Sequence, residues 1–455
     1  MIAPARVAAY DALLALTSGR LDLPSAIAVT RETLSDDRDR ALAAELITGV
    51  QRWRARLDHV ITRISKRDLH RLDPEVVEIL RLGVYQLLHL TRVPAAAAVN
   101  DAVSLCGRAR KKSASGLVNA VLRSISRQRS ALPIPSRPVD TADRDAALDY
   151  LSCALSHPRW LAERWLDRLG FDRAEAWMLF NNQPAPLTLR ANTRLHRLGE
   201  IVDALATHEI LVQSGRWAAE ALIVTEGRPL HDPGVQSGLF VVQDEASQLV
   251  AALAGEHPLA PVLDTCASPG GKATMLAAAV SGEGLVVACD VRAKRVELLA
   301  RTVQQTGTTN VRIVHADATA LPFLPSTRFA TVLVDAPCSG LGTLRRDPDI
   351  KWRRTADELP RLATAQRQML THAAAAVAPG GRLIYATCST EPEENDEVAR
   401  AFLEATPTFA RIAPGRINPA LDRSLFGEDG FFRTEPDRHG LEGFFAAVFE
   451  RAQTL

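Results

Sequence analysis

From residue 261 onward the chain repeats strand, loop, helix. Apolar runs at 262–265, 285–289, 311–314, 330–334 and 382–387 alternate with helical periodicities at about 272–280, 292–305, 358–377 and 394–404. This alternation implies a parallel, doubly wound sheet with right-handed crossovers. Such sheets bind ligands at the carboxyl ends of their strands. That edge is where the sequence gathers its chemistry: Asp264 and Cys266, Asp290, Asp317, Asp335 and Cys338, and Cys388. The stretch 443–449, Gly-Phe-Phe-Ala-Ala-Val-Phe, reads as one more strand, of antiparallel sense.

The first loop of this series, Cys266, Ala267, Ser268, Pro269, Gly270, Gly271 and Lys272, lacks the spacing of a phosphate-binding Gly-x-x-x-x-Gly-Lys loop and of Gly-x-Gly-x-x-Gly. It offers two glycines that let backbone approach a ligand, at a helix N-terminus that favours a carboxylate or other anion. Asp290 ends the next strand, where related folds place an acceptor for ribose hydroxyls. Asp317 follows the third strand. A ligand carrying both a carboxylate and a ribose fits S-adenosylmethionine. The alternative for Asp290 alone is a helix cap before Arg292.

Two thiols sit at strand ends, Cys338 after Asp335-Ala336-Pro337 and Cys388 after Ala386-Thr387. Carbon 5 of cytosine is a poor nucleophile, but a thiolate adding to carbon 6 makes it an enamine carbon that can attack a sulfonium methyl. This chemistry needs a cysteine held as thiolate and an acid near the base. One buried cysteine at a strand end is ordinary packing. Two on one ligand edge, one beside Asp335, point to chemistry, although the residues leave open which thiol attacks.

At 455 residues two or three domains are expected. Residues 1–130 read as helical, with apolar faces at Leu42, Leu46, Val50, Trp53, Leu57, Val60 and Ile64, at Val76 to Leu88, and at Val118 to Ile125. The proline-rich stretch 131–145 reads as a linker. Residues 146–242 read as helices followed by a small α+β module, with strands near 187–190 and 221–224 and a helix near 197–206. Residues 243–455 form the Rossmann-like sheet. Charge is uneven: residues 1–140 hold 22 Lys and Arg against 14 Asp and Glu, and the remainder 32 against 39. A basic front implies a polyanionic partner. Its candidates are Arg108, Arg110, Lys111 and Lys112, with Arg345, Arg346 and Lys351 just past the thiol loop; the alternative for each run is a solvated charged face. The six cysteines include no Cys-x-x-Cys pair, which argues against a metal or disulfide framework. No uncharged apolar run approaches the ~18 residues of a membrane span, and the first residues lack a signal-peptide core, so a cytoplasmic protein is expected.

These motifs together resemble the RNA (cytosine-C5) methyltransferases, and within them the bacterial 16S ribosomal RNA enzymes of the RsmB, Sun or Fmu type. The resemblance rests on 266–272, Asp335-Ala336-Pro337-Cys338-Ser339-Gly340-Leu341-Gly342, Arg346-Asp347-Pro348-Asp349-Ile350-Lys351-Trp352, Tyr385-Ala386-Thr387-Cys388-Ser389, Leu189-Arg190-Ala191-Asn192 and Gln243-Asp244-Glu245-Ala246-Ser247. Ser268 and Ala191 depart mildly from it. The stretches 98–103 and 116–123 resemble the bundle of the antitermination factor NusB, an RNA binder. The resemblance implies a NusB-like helical domain, an α+β module and an α/β S-adenosylmethionine-dependent methyltransferase sheet. It implies Cys388 as nucleophile, Cys338 as the thiol that assists release, and Asp335 at the target cytosine and methyl. It further implies 266–272, Asp290 (ribose) and Asp317 (adenine) around the cofactor. Its implied substrate is 16S ribosomal RNA, free or in a small-subunit intermediate, at cytosine 967. A monomer without metal or membrane association is expected. In a DNA cytosine methyltransferase, Cys338 would attack instead, and a decayed binding protein would not retain both thiols, Asp335 and the glycine loop.

Overall fold

The computed structural model describes residues 2–232, 238–280 and 284–453. The chain forms two compact units, one of residues 1–183 with 344–356, the other of 184–343 with 357–455.

The first unit is helical: Pro4–Thr17, Leu23–Thr33, Asp37–Ser65, Pro74–His89, Ala95–Arg108, Ser115–Arg127, Arg144–Asp149, Arg159–Leu169, Phe171–Asn181 and the single turn Ile350–Arg353. Helix Asp37–Ser65 starts where the Asp36 carboxylate accepts from the Arg38 and Asp39 amides, and stops at Lys66 in the left-handed region. Its buried residues, Leu46, Ile47, Val50, Leu57, Val60 and Ile61, recur at helical spacing and meet Ile79, Leu80 and Val84 of Pro74–His89. Each such side chain contributes about 1.5–3 kcal/mol by leaving water. Leu42, Trp53 and Ile64, expected on this face, lie at its half-buried rim. Residues 128–143 carry no regular element.

The second unit holds two sheets. Strands β1 (Thr188–Ala191), β2 (Leu211–Ser214), β3 (Ala221–Glu226) and β4 (Phe240–Val242) form an antiparallel sheet in the order β2-β3-β1-β4. Strands β5 (Val262–Asp264), β6 (Val286–Asp290), β7 (Val311–His315), β8 (Phe329–Asp335), β9 (Val377–Thr387), β10 (Phe409–Arg411), β11 (Phe432–Thr434) and β12 (Phe444–Arg451) form the second, in the order β10-β12-β9-β8-β5-β6-β7, with β11 on β12. Strands β5 to β9 are parallel and β12 is antiparallel to β9, so the sheet is mixed. Alternate residues of its strands feed opposite cores: Leu333, Ile384, Ala386 and Val448 on one face, Val332, Val334, Leu383, Tyr385 and Phe449 on the other. Both faces are therefore buried, which explains the nearly unbroken apolar runs in the sequence. The order reverses at β5, whose neighbours are β8 and β6, and such a reversal opens a crevice at the strand ends.

Candidate active site

Three loops meet at that crevice. Asp264 ends β5 and is fully buried. Its Oδ1 accepts from the Cys266 amide at 3.3 Å, and its Oδ2 has no partner. Burial, then the neighbouring Asp335 charge, push its carboxyl up to about 7. Gly270 turns the loop at φ +112, and helix Gly271–Ala279 starts at once. Lys272, on its first turn, donates to Asp335 Oδ2 at 2.8 Å. Burial alone would lower this ammonium, but Asp335 outweighs it and raises its pKa; Cys388 adds in the same sense. Burial pushes the Cys266 thiol up to about 12, so it is a poor nucleophile.

Asp290 ends β6, 3% exposed, and accepts from the Arg292 amide at 3.1 Å. Asp317 lies exposed beyond β7 and accepts from the amide and hydroxyl of Thr319, which hold its pKa low.

Strands β8 and β9 pair in register at Asp335 and Ala386. Cys338 and Cys388 follow these by three and two residues, and their sulfurs lie 3.4 Å apart. The hydrogen bond with Cys388, together with burial, raises the Cys338 thiol well above its ordinary value and keeps it protonated. The backbone locks the pair: Ala336 N–H donates to the Ala386 carbonyl and Gly342 N–H to the Cys388 carbonyl. A Cβ on Gly342 would sit 1.8 Å from the Gly443 carbonyl, so only glycine permits this approach.

The cradle fits S-adenosylmethionine. Beside the glycine turn lie two buried polar atoms without partners, Asp264 Oδ2 and Ser268 Oγ, and a buried acid at the end of β6. Unpaired buried polar atoms are uncommon in folded chains, and here two border the same loop.

The basic candidates divide. Lys351, expected at a phosphate, is 1% exposed inside the helical unit. Its ammonium donates to the Arg52 carbonyl at 3.0 Å, and burial pushes its pKa well down. It cannot hold an external anion, and that expectation is withdrawn. The same segment is tied down by Trp352, whose indole donates to the Gln51 carbonyl at 2.6 Å, and by the Arg345 carbonyl, which accepts from Arg52. Arg345 lies over the Phe180 ring at 4.5 Å. Arg346 is half-buried. Arg108 pairs with Asp11, and Lys111 with Asp73 and Glu75. Arg110 and Lys112 are exposed and have no ion pair among the described residues.

Three comparisons bear on this arrangement. Residues 251–450 match the family model for 16S rRNA methyltransferase RsmB/F, residues 3–127 the NusB family, and residues 157–231 the ferredoxin-like domain of RsmF/B-like methyltransferases. The chain is 33% identical to the probable ribosomal RNA small subunit methyltransferase B of Bacillus subtilis, over 90% of each chain. It is 35% identical to ribosomal RNA small subunit methyltransferase B of Pseudomonas putida, over 97% of each. The chain belongs to the RsmB family of ribosomal RNA methyltransferases. The crystal structure of PH0851 shares its fold at a TM-score of 0.80 and 25% identity, covering 99% of each chain. An RsmB-family methyltransferase thus carries its helical NusB-like front and its mixed methyltransferase sheet in one chain. Among the described residues no helix is long and apolar enough to cross a membrane, and no group of His, Cys, Asp or Glu could hold a metal.

Sequence reasoning missed the Lys272–Asp335 ion pair as a pair, the unpaired Asp264 oxygen, and Glu394, which is buried behind both thiols. The sequence marks Glu394 only as one of several acids in a row, which reads as a solvated helix start.

Proposed function

We propose that the chain methylates carbon 5 of a cytosine in 16S ribosomal RNA, cytosine 967 by family resemblance, through a covalent bond from Cys388 to carbon 6. The observation that carries this is the 3.4 Å approach of two thiols at adjacent strand ends, beside the Lys272–Asp335 pair. S-adenosylmethionine would be held by 266–272, Asp290 and Asp317, and supplies an electrophilic methyl. Cys388 reacts as its thiolate, the nucleophilic form of the side chain. That thiolate adds to carbon 6, and carbon 5 takes the methyl. Asp335, fixed by Lys272, orients the base. Transfer of the carbon-5 proton to solvent water and departure of the Cys388 thiolate then restore the ring. Cys338, kept protonated, donates a hydrogen bond to the departing thiolate. The target base must leave its stack to reach this crevice, so an unpaired or loop cytosine suits it. The NusB-like bundle serves as an RNA-binding front, with Arg110 and Lys112 among its exposed cations.

The test uses two variants and a denaturing gel. Cys388→Ala abolishes methyl transfer and gives no adduct. Cys338→Ala accumulates a protein–RNA adduct that survives denaturation. An adduct with Cys388→Ala instead would reverse the roles. Mapping 5-methylcytosine in ribosomal RNA with and without the gene identifies the nucleotide, and an unchanged map would remove the assignment to 16S RNA.

A further inference from the structure

We propose that Glu394 is a positioning residue that sets the spacing of the two thiols; this rests on the reading of Cys388 as nucleophile and Cys338 as the release thiol. Glu394 closes the 3-10 turn Pro392–Glu394, just beyond β9, and is fully buried. Oε1 accepts from the Ser339 amide at 2.8 Å and from Gln366 Nε2 at 2.9 Å. Oε2 accepts from the hydroxyls of Ser339 and Ser389, both at 2.5 Å, and these hydroxyls lie 3.0 Å from each other. Ser339 is the covalent neighbour of Cys338, and Ser389 of Cys388. One carboxylate oxygen therefore joins the two loops one residue from each sulfur.

The surroundings fix the carboxylate in turn. Gln366 Nε2 also donates to the Pro337 carbonyl at 3.0 Å. Tyr385, buried under the sheet edge, donates its hydroxyl to the Glu394 carbonyl at 2.5 Å. Asn395 Nδ2 donates to the Ser389 carbonyl at 2.9 Å. A buried carboxylate without a cation is costly unless hydrogen bonds replace its water, and four donors do so here. A plug that merely filled the core would be met by apolar side chains. This one instead draws three of its four donors from the residues that flank the thiols.

The donor pattern distinguishes substitutions. The Oε1 side faces N–H groups that can only donate, so an oxygen must stay there. The Oε2 side faces two hydroxyls that can turn and accept. Glu394→Gln can therefore keep its oxygen on the first side and place its amide nitrogen on the second. Glu394→Ala removes the clasp, and Glu394→Asp is one methylene too short to reach both loops.

Misplacing reacting groups by about 1 Å can cost on the order of 10²-fold in rate. Glu394→Ala is expected to lower kcat by about 10²-fold with KM for RNA and S-adenosylmethionine within about threefold. It accumulates the same denaturation-stable adduct as Cys338→Ala, because the displaced Cys338 no longer assists release. In Glu394→Ala/Cys338→Ala the release rate falls no further than in Cys338→Ala. Glu394→Gln returns most of the lost turnover. If Glu394→Ala fails to fold by circular dichroism, Ser339→Ala/Ser389→Ala removes two donors and tests the same link through the adduct. Turnover within threefold of the parent in Glu394→Ala, or an equal loss of cofactor binding and turnover in both Glu394→Ala and Glu394→Gln, overturns the inference. An adduct in Cys338→Ala but none in Glu394→Ala overturns it alone. No adduct in Cys338→Ala removes the reading beneath it, and the inference with it.

Discussion

Lys272, half-buried, and Lys351, fully buried, both lie in segments that leave the carboxyl edge of the sheet; from sequence the first falls in the cofactor loop and the second in a run placed at phosphates. Their surroundings separate them. Lys272 has the Asp335 carboxylate at 2.8 Å and stays charged despite burial. Lys351 has the Arg52 carbonyl and the face of Trp352, with no carboxylate bonded to it among the described residues, and is driven toward its neutral form. A buried ammonium keeps its charge only with an anion beside it. Lys272 belongs to an electrostatic site, whereas Lys351 is part of a helical core that closes on residues 344–356.

Substituting each lysine by the near-isosteric methionine tests this difference most strongly. Lys272→Met leaves Asp335 uncompensated beside Asp264, and breaking such a pair costs about 3–5 kcal/mol. Lys351→Met removes a desolvated amine and is expected to be neutral or stabilising. The pH dependence differs in sign. The raised pKa of Lys272 gives stability that is present at neutral pH and lost as pH rises through its folded value. The depressed pKa of Lys351 gives stability that is present above the ordinary lysine value and lost as pH falls, so the benefit of Lys351→Met grows toward acid. Urea unfolding of both variants across pH measures this, and equal losses would erase the distinction.

Asp264 sharpens the comparison from the acidic side. Its carboxyl is raised from 3.8 to about 7. A raised carboxyl contributes stability below its unfolded pKa and loses it as pH rises through the folded value. Between pH 4 and 7 the ligand-free protein should lose up to about 4 kcal/mol from this group. Asp264→Asn removes that slope, so the variant gains on the parent as pH rises from 5 to 8. A melting-temperature difference that stays flat over this range would show that Lys272 already compensates Asp264.

The sheet was legible because its strands are apolar runs that end in acids or cysteines, which marks both the element and its ligand edge. The run 443–449 was legible as a further strand, and β12 pairs antiparallel with β9 as expected. Strands β2 and β4 were not, since 211–214 and 240–242 are short and largely exposed or half-buried. The two thiols were legible as residues, but their separation was not, because it is set by Glu394 and two serines from three different segments. Nothing in the row Glu393-Glu394-Asn395-Asp396 shows that its second member is buried, because burial there is decided by helix Leu359–Ala375 supplying Gln366. Lys351 failed for the same reason: a basic run looks solvated until a carbonyl from another helix takes one of its members.

The smallest effect follows from the cations that remain. If Lys351 is core and Arg110 and Lys112 face the RNA, the two groups differ in salt dependence rather than in affinity at one condition. Each phosphate contact contributes about 0.7–0.9 to the slope of log affinity against log salt. Arg110→Ala/Lys112→Ala should therefore flatten that slope by about 1.4–1.8. Lys351→Met should leave it unchanged, because a side chain buried against the Arg52 carbonyl meets no phosphate. Binding of a 16S-derived hairpin to the full chain, measured between 50 and 200 mM salt, separates the two. A slope lowered by Lys351→Met would return that residue to the RNA, and a slope untouched by the double variant would move the electrostatic contact elsewhere on the bundle.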